Sequence, residues 1–141
     1  MRASRGLLVD TSAWIEVFRR PQRVTLDAMV GGARDRIVTC LPVVQEVLQG
    51  FDDEQAFWIA RTAMYALPCV DSPLPPAAID AAVDLYRRAR RAGVTVRSSA
   101  DCLIAACASR LHLTVVHCDR DFTKLARLAP FAAIDVSPVR G

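Results

Sequence analysis

No apolar run in this 141-residue chain approaches the roughly 18 residues that a membrane span needs. The amino-terminal Met1-Arg-Ala-Ser-Arg5 carries two basic residues, but Asp10 and Glu16 interrupt the apolar stretch behind them. No signal-peptide core is therefore expected, and the cytoplasm is the expected compartment. Low-complexity tracts and internal repeats are also missing. Among five cysteines (Cys40, Cys69, Cys102, Cys107 and Cys118) there is no C-x-x-C pair. All five lie in or beside apolar segments and read as small buried thiols in a reducing compartment. A site drawn from Cys102, Cys107, His112 and His117 matches none of the usual ligand spacings, so zinc is not expected, nor is a nucleotide cofactor. Lysine is scarce, and nearly all the basic residues are arginine.

A composition 52% hydrophobic and 23% charged suits a globular chain, and the length suits one domain over residues 1–141 with a sizeable core. The net charge of +3 is mild. Its distribution says more, because Arg87, Arg88, Arg90, Arg91 and Arg97 cluster. Planar guanidinium forks pair bidentately with phosphates, although a solvated helix face or a protein interface gives the same pattern.

Leu7 to Val9 is a short buried-strand pattern that ends on Asp10, and Thr11 and Ser12 lead into a helix closed by Pro21. A short amphipathic helix is predicted over Thr25 to Gly31, and a strand over Arg36 to Leu41. Pro42 then takes the first helical position of a helix that runs to Gln49 and closes on Gly50. Asp52, Asp53 and Glu54 open another helix, to about Ala66, with acids at its positive end. A short strand over Pro68 to Asp71 and a proline connector precede a long helix from about Ala77 to Ala92. The helix Ser98 to Leu111, the strand Leu113 to His117, the helix Arg120 to Ala129 and the strand Ala132 to Val136 complete the chain. Strands alternating with helices predict an α/β fold with a largely parallel sheet.

Such sheets bind ligands outside the carboxyl ends of their strands, where Asp10 falls. An Asp before a helix is first of all an N-cap, so one acid decides nothing. Others arrive, however. At 100° per residue Asp101 lies within about 60° of Ile104, Ala105 and Ala108, so it points into the apolar arc of its helix. A capping box with Ser98 explains an acid there, but not a helix built for burial around it. Glu46 stands about 60° off the Val43, Val44, Val47 and Leu48 stripe, as an ordinary flanking glutamate also does. Asp119 and Asp121 follow the strand ending at His117, and only one of them can cap the next helix. Converging carboxylates repel unless a cation neutralises them. All-oxygen ligands suit Mg²⁺, with Mn²⁺ as the other fit. A pair of such ions can clamp an in-line phosphodiester displacement.

The four segments Leu8-Val-Asp-Thr-Ser-Ala-Trp14, Pro42-Val-Val-Gln-Glu-Val-Leu48, Ser99-Ala-Asp-Cys-Leu-Ile-Ala-Ala106 and His117-Cys-Asp-Arg-Asp-Phe122 stand in this order. Together they resemble the PIN-domain ribonucleases, and more narrowly the VapC toxins of type II toxin–antitoxin modules. The resemblance covers about Leu7 to Ala129. It implies a PIN-like three-layer α/β/α sandwich around a central, largely parallel sheet. It also implies Mg²⁺- or Mn²⁺-dependent cleavage of structured RNA (tRNA or rRNA), a homodimer, and a VapB-type antitoxin that covers the site. By motif, Asp10 and Asp101 become the central metal ligands, and Glu46 holds or orients the metal and its water. Asp119 joins them in the catalytic set, with Asp121 as a further metal ligand. Thr11 and Ser12 bond a carboxylate or the scissile phosphate. Outside the motifs, the Arg87 to Arg97 cluster is the candidate for contacts to the RNA backbone. His117 and Cys118 receive no role.

The same residues leave two rival readings. A catalytically silent RNA- or protein-binding module has no use for so many acids facing phosphates. A receiver-type phosphoacceptor wants paired acids after the first strand and a lysine after the last, whereas Lys124 lies inside a helix pattern.

Overall fold

A computed structural model of the protein describes residues 6–20 and 25–137; the expected helix stop at Pro21 lies outside them. Strand β1 (Leu7–Val9) leads into α1 (Thr11–Arg19) and α2 (Leu26–Val30). A 3-10 turn over Arg34–Arg36 enters β2 (Ile37–Cys40), followed by α3 (Leu41–Gln49), α4 (Glu54–Tyr65) and β3 (Cys69–Val70). The second half is α5 (Pro76–Arg91), α6 (Ser99–Leu111), β4 (Thr114–His117), α7 (Arg120–Ala126) and β5 (Ala132–Asp135).

Among the described residues five strands form one sheet in the order β3-β2-β1-β4-β5, and every pairing is parallel. Leu7 lies beside Ile37 on one side and Thr114 on the other, so β1 is the central strand. The order runs outward from β1 in two directions. Right-handed crossovers then put the helices of the two directions on opposite faces, which gives the expected α/β/α sandwich. Buried on both faces, the central strands need continuous apolar sequence: Leu8, Val9, Val115 and Val116 are all essentially inaccessible. Between β1 and β4 the strand order reverses, and their carboxyl ends lie side by side there. The Asp10 N–H continues the ladder to the Val116 carbonyl at 2.9 Å.

Several boundaries differ from the sequence expectation for local reasons. Helix α3 begins at Leu41, which puts Pro42 in its first turn rather than at its first position. Helix α7 stops at Ala126, and the N–H groups of Leu128 and Ala129 fold back onto the Leu125 carbonyl instead of extending it. Gly93 follows α5 with φ of 74°, but α6 ends on a left-handed His112 (φ 55°) rather than on a glycine. Cys40, Cys102 and Cys107 are buried as expected, whereas Cys118 is half-buried just past the end of β4 and Cys69 is exposed, because two-residue β3 is an edge strand.

Leu8 lies in the middle of the core, fully covered. Leu8→Ala is expected to lower unfolding stability by about 2–5 kcal/mol, the usual cost of a leucine cavity, read from urea denaturation. A loss under about 1 kcal/mol would mean that the sheet collapses around the gap.

Candidate metal centre

The reversal point between β1 and β4 gathers the acids. Asp10 leaves β1 in extended backbone (φ −73°, ψ 159°) and caps α1. The Ser12 N–H and hydroxyl both donate to its Oδ2, at 3.0 and 2.6 Å. The Ser12 oxygen in turn accepts the Cys118 N–H at 3.0 Å. One hydroxyl thus ties the end of β1 to the end of β4. The other Asp10 oxygen, Oδ1, is buried without a hydrogen-bond partner. Burial is the main reason the Asp10 carboxyl is held above its ordinary pKa; the Ser12 bonds oppose the rise, and the Glu46 charge adds to it.

Glu46 reaches the same region from α3, where its Oε1 accepts the Thr11 hydroxyl at 3.2 Å. Thr11 and Ser12 therefore each orient an acid.

Asp101 sits in the first turn of α6 and is only 6% exposed. Ser98 makes no side-chain cap for this helix; its carbonyl accepts the Asp101 N–H instead, so the capping box does not form. Burial, followed by the charges of Asp10, Asp119, Glu46 and Asp121, pushes the Asp101 carboxyl up to about 8.

Asp119 is the acid that caps α7: its Oδ1 accepts the Asp121 N–H at 2.9 Å, and Asp121 turns inward to 2% exposure. One carboxylate oxygen from each of Asp101, Asp119 and Asp121 lies within 4.8 Å of the others. Asp10 and Glu46 stand outside this trio but act on Asp101 through their charge.

Two neighbours were not legible in the sequence. His117 is buried against Phe122, and its Nδ1 accepts the Asp119 N–H at 3.2 Å. Burial pulls its pKa down, so the ring is a neutral acceptor that holds the backbone of Asp119. Arg97 reaches the trio itself: its Nε donates to Asp121 Oδ2 at 3.3 Å, and another guanidinium nitrogen pairs with Asp119 Oδ1 at 3.6 Å. The only sequence signal for this contact is that Arg97 stands beyond Gly93, apart from the α5 arginines and four residues ahead of Asp101. Those arginines do not act as one group. Arg88 is spent on Asp84 (2.9 Å) and the Leu128 carbonyl, while Arg87, Arg90 and Arg91 are exposed.

Oxygen donors alone, an orphaned buried carboxylate oxygen and an acid lifted to about 8 by its neighbours suit a hard divalent cation. The residues present fit such an ion.

This parallel sheet, with acids at its reversal point, defines the class. The chain belongs to the PIN domain family, whose sequence model matches residues 7–128. Among its relatives are a VapC ribonuclease of Mycobacterium bovis and the ribonuclease VapC11 of Mycobacterium tuberculosis. Each is 39% identical over 132 residues, covering 90% of this chain and 96% of the relative. The fold is similar to that of a DNA-bound VapBC from Salmonella typhimurium, with a TM-score of 0.75 and 18% identity, over 92% of this chain and 97% of that one.

The raised Asp101 pKa fixes the sign of a pH effect. Its folded value of about 8 exceeds the unfolded value near 3.8, so the folded protein binds this proton more tightly. The contribution is fully present below about pH 4 and is lost as pH rises toward 8. In EDTA at about pH 8, Asp101→Asn is expected to be more stable than the parent by about 1–3 kcal/mol, with the gap closing near pH 4. Urea titrations at both pH values check this. A variant less stable than the parent at pH 8 would show that the carboxylate is well accommodated without a cation.

Proposed function

We propose that this chain is a single-domain, Mg²⁺- or Mn²⁺-dependent endoribonuclease, the toxin of a toxin–antitoxin pair. The observation that carries the reading is Asp101, buried in an apolar helix and facing four other acids. An acid so placed serves a cation better than it serves the fold. The VapC ribonuclease relatives supply the substrate class.

In this reading Asp10, Asp101, Asp119 and Asp121 would hold the ion through oxygen, with Glu46 oriented nearby by Thr11. When bound, such an ion lowers the pKa of water and offsets charge that develops on a phosphodiester. Ser12 keeps Asp10 Oδ2 occupied, leaving Oδ1 as the oxygen to be shared. His117 fixes Asp119 from behind. Water adds in line to phosphorus and gives up a proton to solvent, the bond to the 3′ oxygen breaks, and that oxygen takes a proton from solvent and leaves as a hydroxyl. The products carry 5′-phosphate and 3′-hydroxyl ends, and no side chain becomes covalently attached. The exposed Arg87, Arg90 and Arg91 supply phosphate contacts to a structured RNA, tRNA or rRNA. Cleavage of such RNA stops translation, and a VapB-type antitoxin neutralises it; the VapBC assemblies that share the fold support that partner. A homodimer in the cytoplasm completes the reading. No helix among the described residues is long and apolar enough to cross a membrane.

Purified protein incubated with total RNA is expected to give discrete fragments with Mg²⁺ or Mn²⁺. None should form in EDTA, and Asp10→Asn and Asp101→Asn should each lower the rate at least ~100-fold. End-group mapping is expected to find 5′-phosphates. Fragments with 2′,3′-cyclic phosphates would contradict the mechanism, since they report attack by the RNA's own 2′-hydroxyl.

A further inference from the structure

Arg97 is the one basic side chain that enters the acid trio among the described contacts, and it does so loosely. Its side chain is 73% exposed, whereas that of its partner Asp121 is 3% exposed. Both contacts, at 3.3 and 3.6 Å, are longer than the ~2.7–2.9 Å of a tight charge-assisted bond. The residue lies between α5 and α6, outside either helix, so its side chain can leave without moving an element. The oxygens it touches, Asp121 Oδ2 and Asp119 Oδ1, belong to two of the three acids that a cation at the trio shares. A guanidinium there repels an incoming divalent ion and takes up its ligands.

We propose that Arg97 is a resident counter-ion that neutralises the trio in the metal-free protein and is exchanged for the divalent cation, raising the ion concentration at which the site fills. This rests on the metal-nuclease reading above. It gives Arg97 a place distinct from RNA contact: a cation built into the chain competes with the cation the site is made for. Exchange of this kind leaves two marks of opposite sign. Removing the guanidinium exposes the acids to one another in the absence of metal, and it opens their oxygens to metal. A purely structural arginine leaves only the first mark.

The test is Mn²⁺ binding to the intact chain without RNA, followed by calorimetry or by the free-ion paramagnetic signal, beside thermal unfolding in EDTA. Arg97→Gln is expected to bind Mn²⁺ roughly three- to tenfold more tightly than the parent and to unfold at a lower temperature in EDTA. Arg97→Lys keeps the charge but lacks the fork that spans both acids, so its affinity is expected to fall between the two. It also keeps the comparison available if the glutamine variant folds poorly. Affinity for Mn²⁺ that is unchanged or weaker in both variants overturns the exchange and leaves the nuclease reading standing. A parent that binds no Mn²⁺ at millimolar concentration overturns both.

Discussion

Like charge confined to a small, poorly solvated volume is the constraint on which the rest of this structure turns. Asp10, Asp101 and Asp121 are each at most 6% exposed, and Asp119 and Glu46 add their charges at the same sheet edge. The fold bears that repulsion in three visible ways. Ser12 and Thr11 bond two of the acids, Arg97 pairs with two others, and Asp101 resists ionisation until about pH 8. A protein selected for stability alone would replace Asp101, at the start of a helix whose Ile104, Ala105 and Ala108 are all fully buried.

The scaffold explains how separate stretches of chain deliver these groups to one place. Parallel pairing sets the carboxyl ends of β1 and β4 next to each other, and the reversal of strand order between them leaves the crevice uncovered by a crossover. The Ser12 hydroxyl, shared between Asp10 and the Cys118 N–H, locks the two ends together across 106 residues of sequence. Asp119 and Asp121 divide their work by position. One caps α7 and stays at the rim, and the other is turned inward by that cap.

Much of this was legible in the sequence because it follows from local pattern. Continuous apolar runs marked the buried strands, Asp10 and Asp119 marked strand ends, and the apolar arc around Asp101 marked an acid out of place. What was not legible depends on contacts between distant residues. Nothing in the spacing shows that Arg97 turns to Asp121 rather than joining the α5 arginines, or that Arg110 pairs with Asp71 at 2.6 Å across 39 residues. The Ser98 capping box was suggested by spacing and is absent, because the Ser98 carbonyl rather than its hydroxyl meets the Asp101 N–H. His117 carries its role through Nδ1 and a backbone N–H, a bond that no residue pattern encodes.

The claim that these acids are assembled for a divalent cation is tested most directly by anomalous diffraction from crystals of the protein grown with Mn²⁺. The account predicts a manganese peak bonded to Asp101 and to the Asp10 oxygen that is orphaned without it, with Arg97 turned away from Asp119 and Asp121. No peak at saturating Mn²⁺, with Arg97 still paired to both acids, would contradict it.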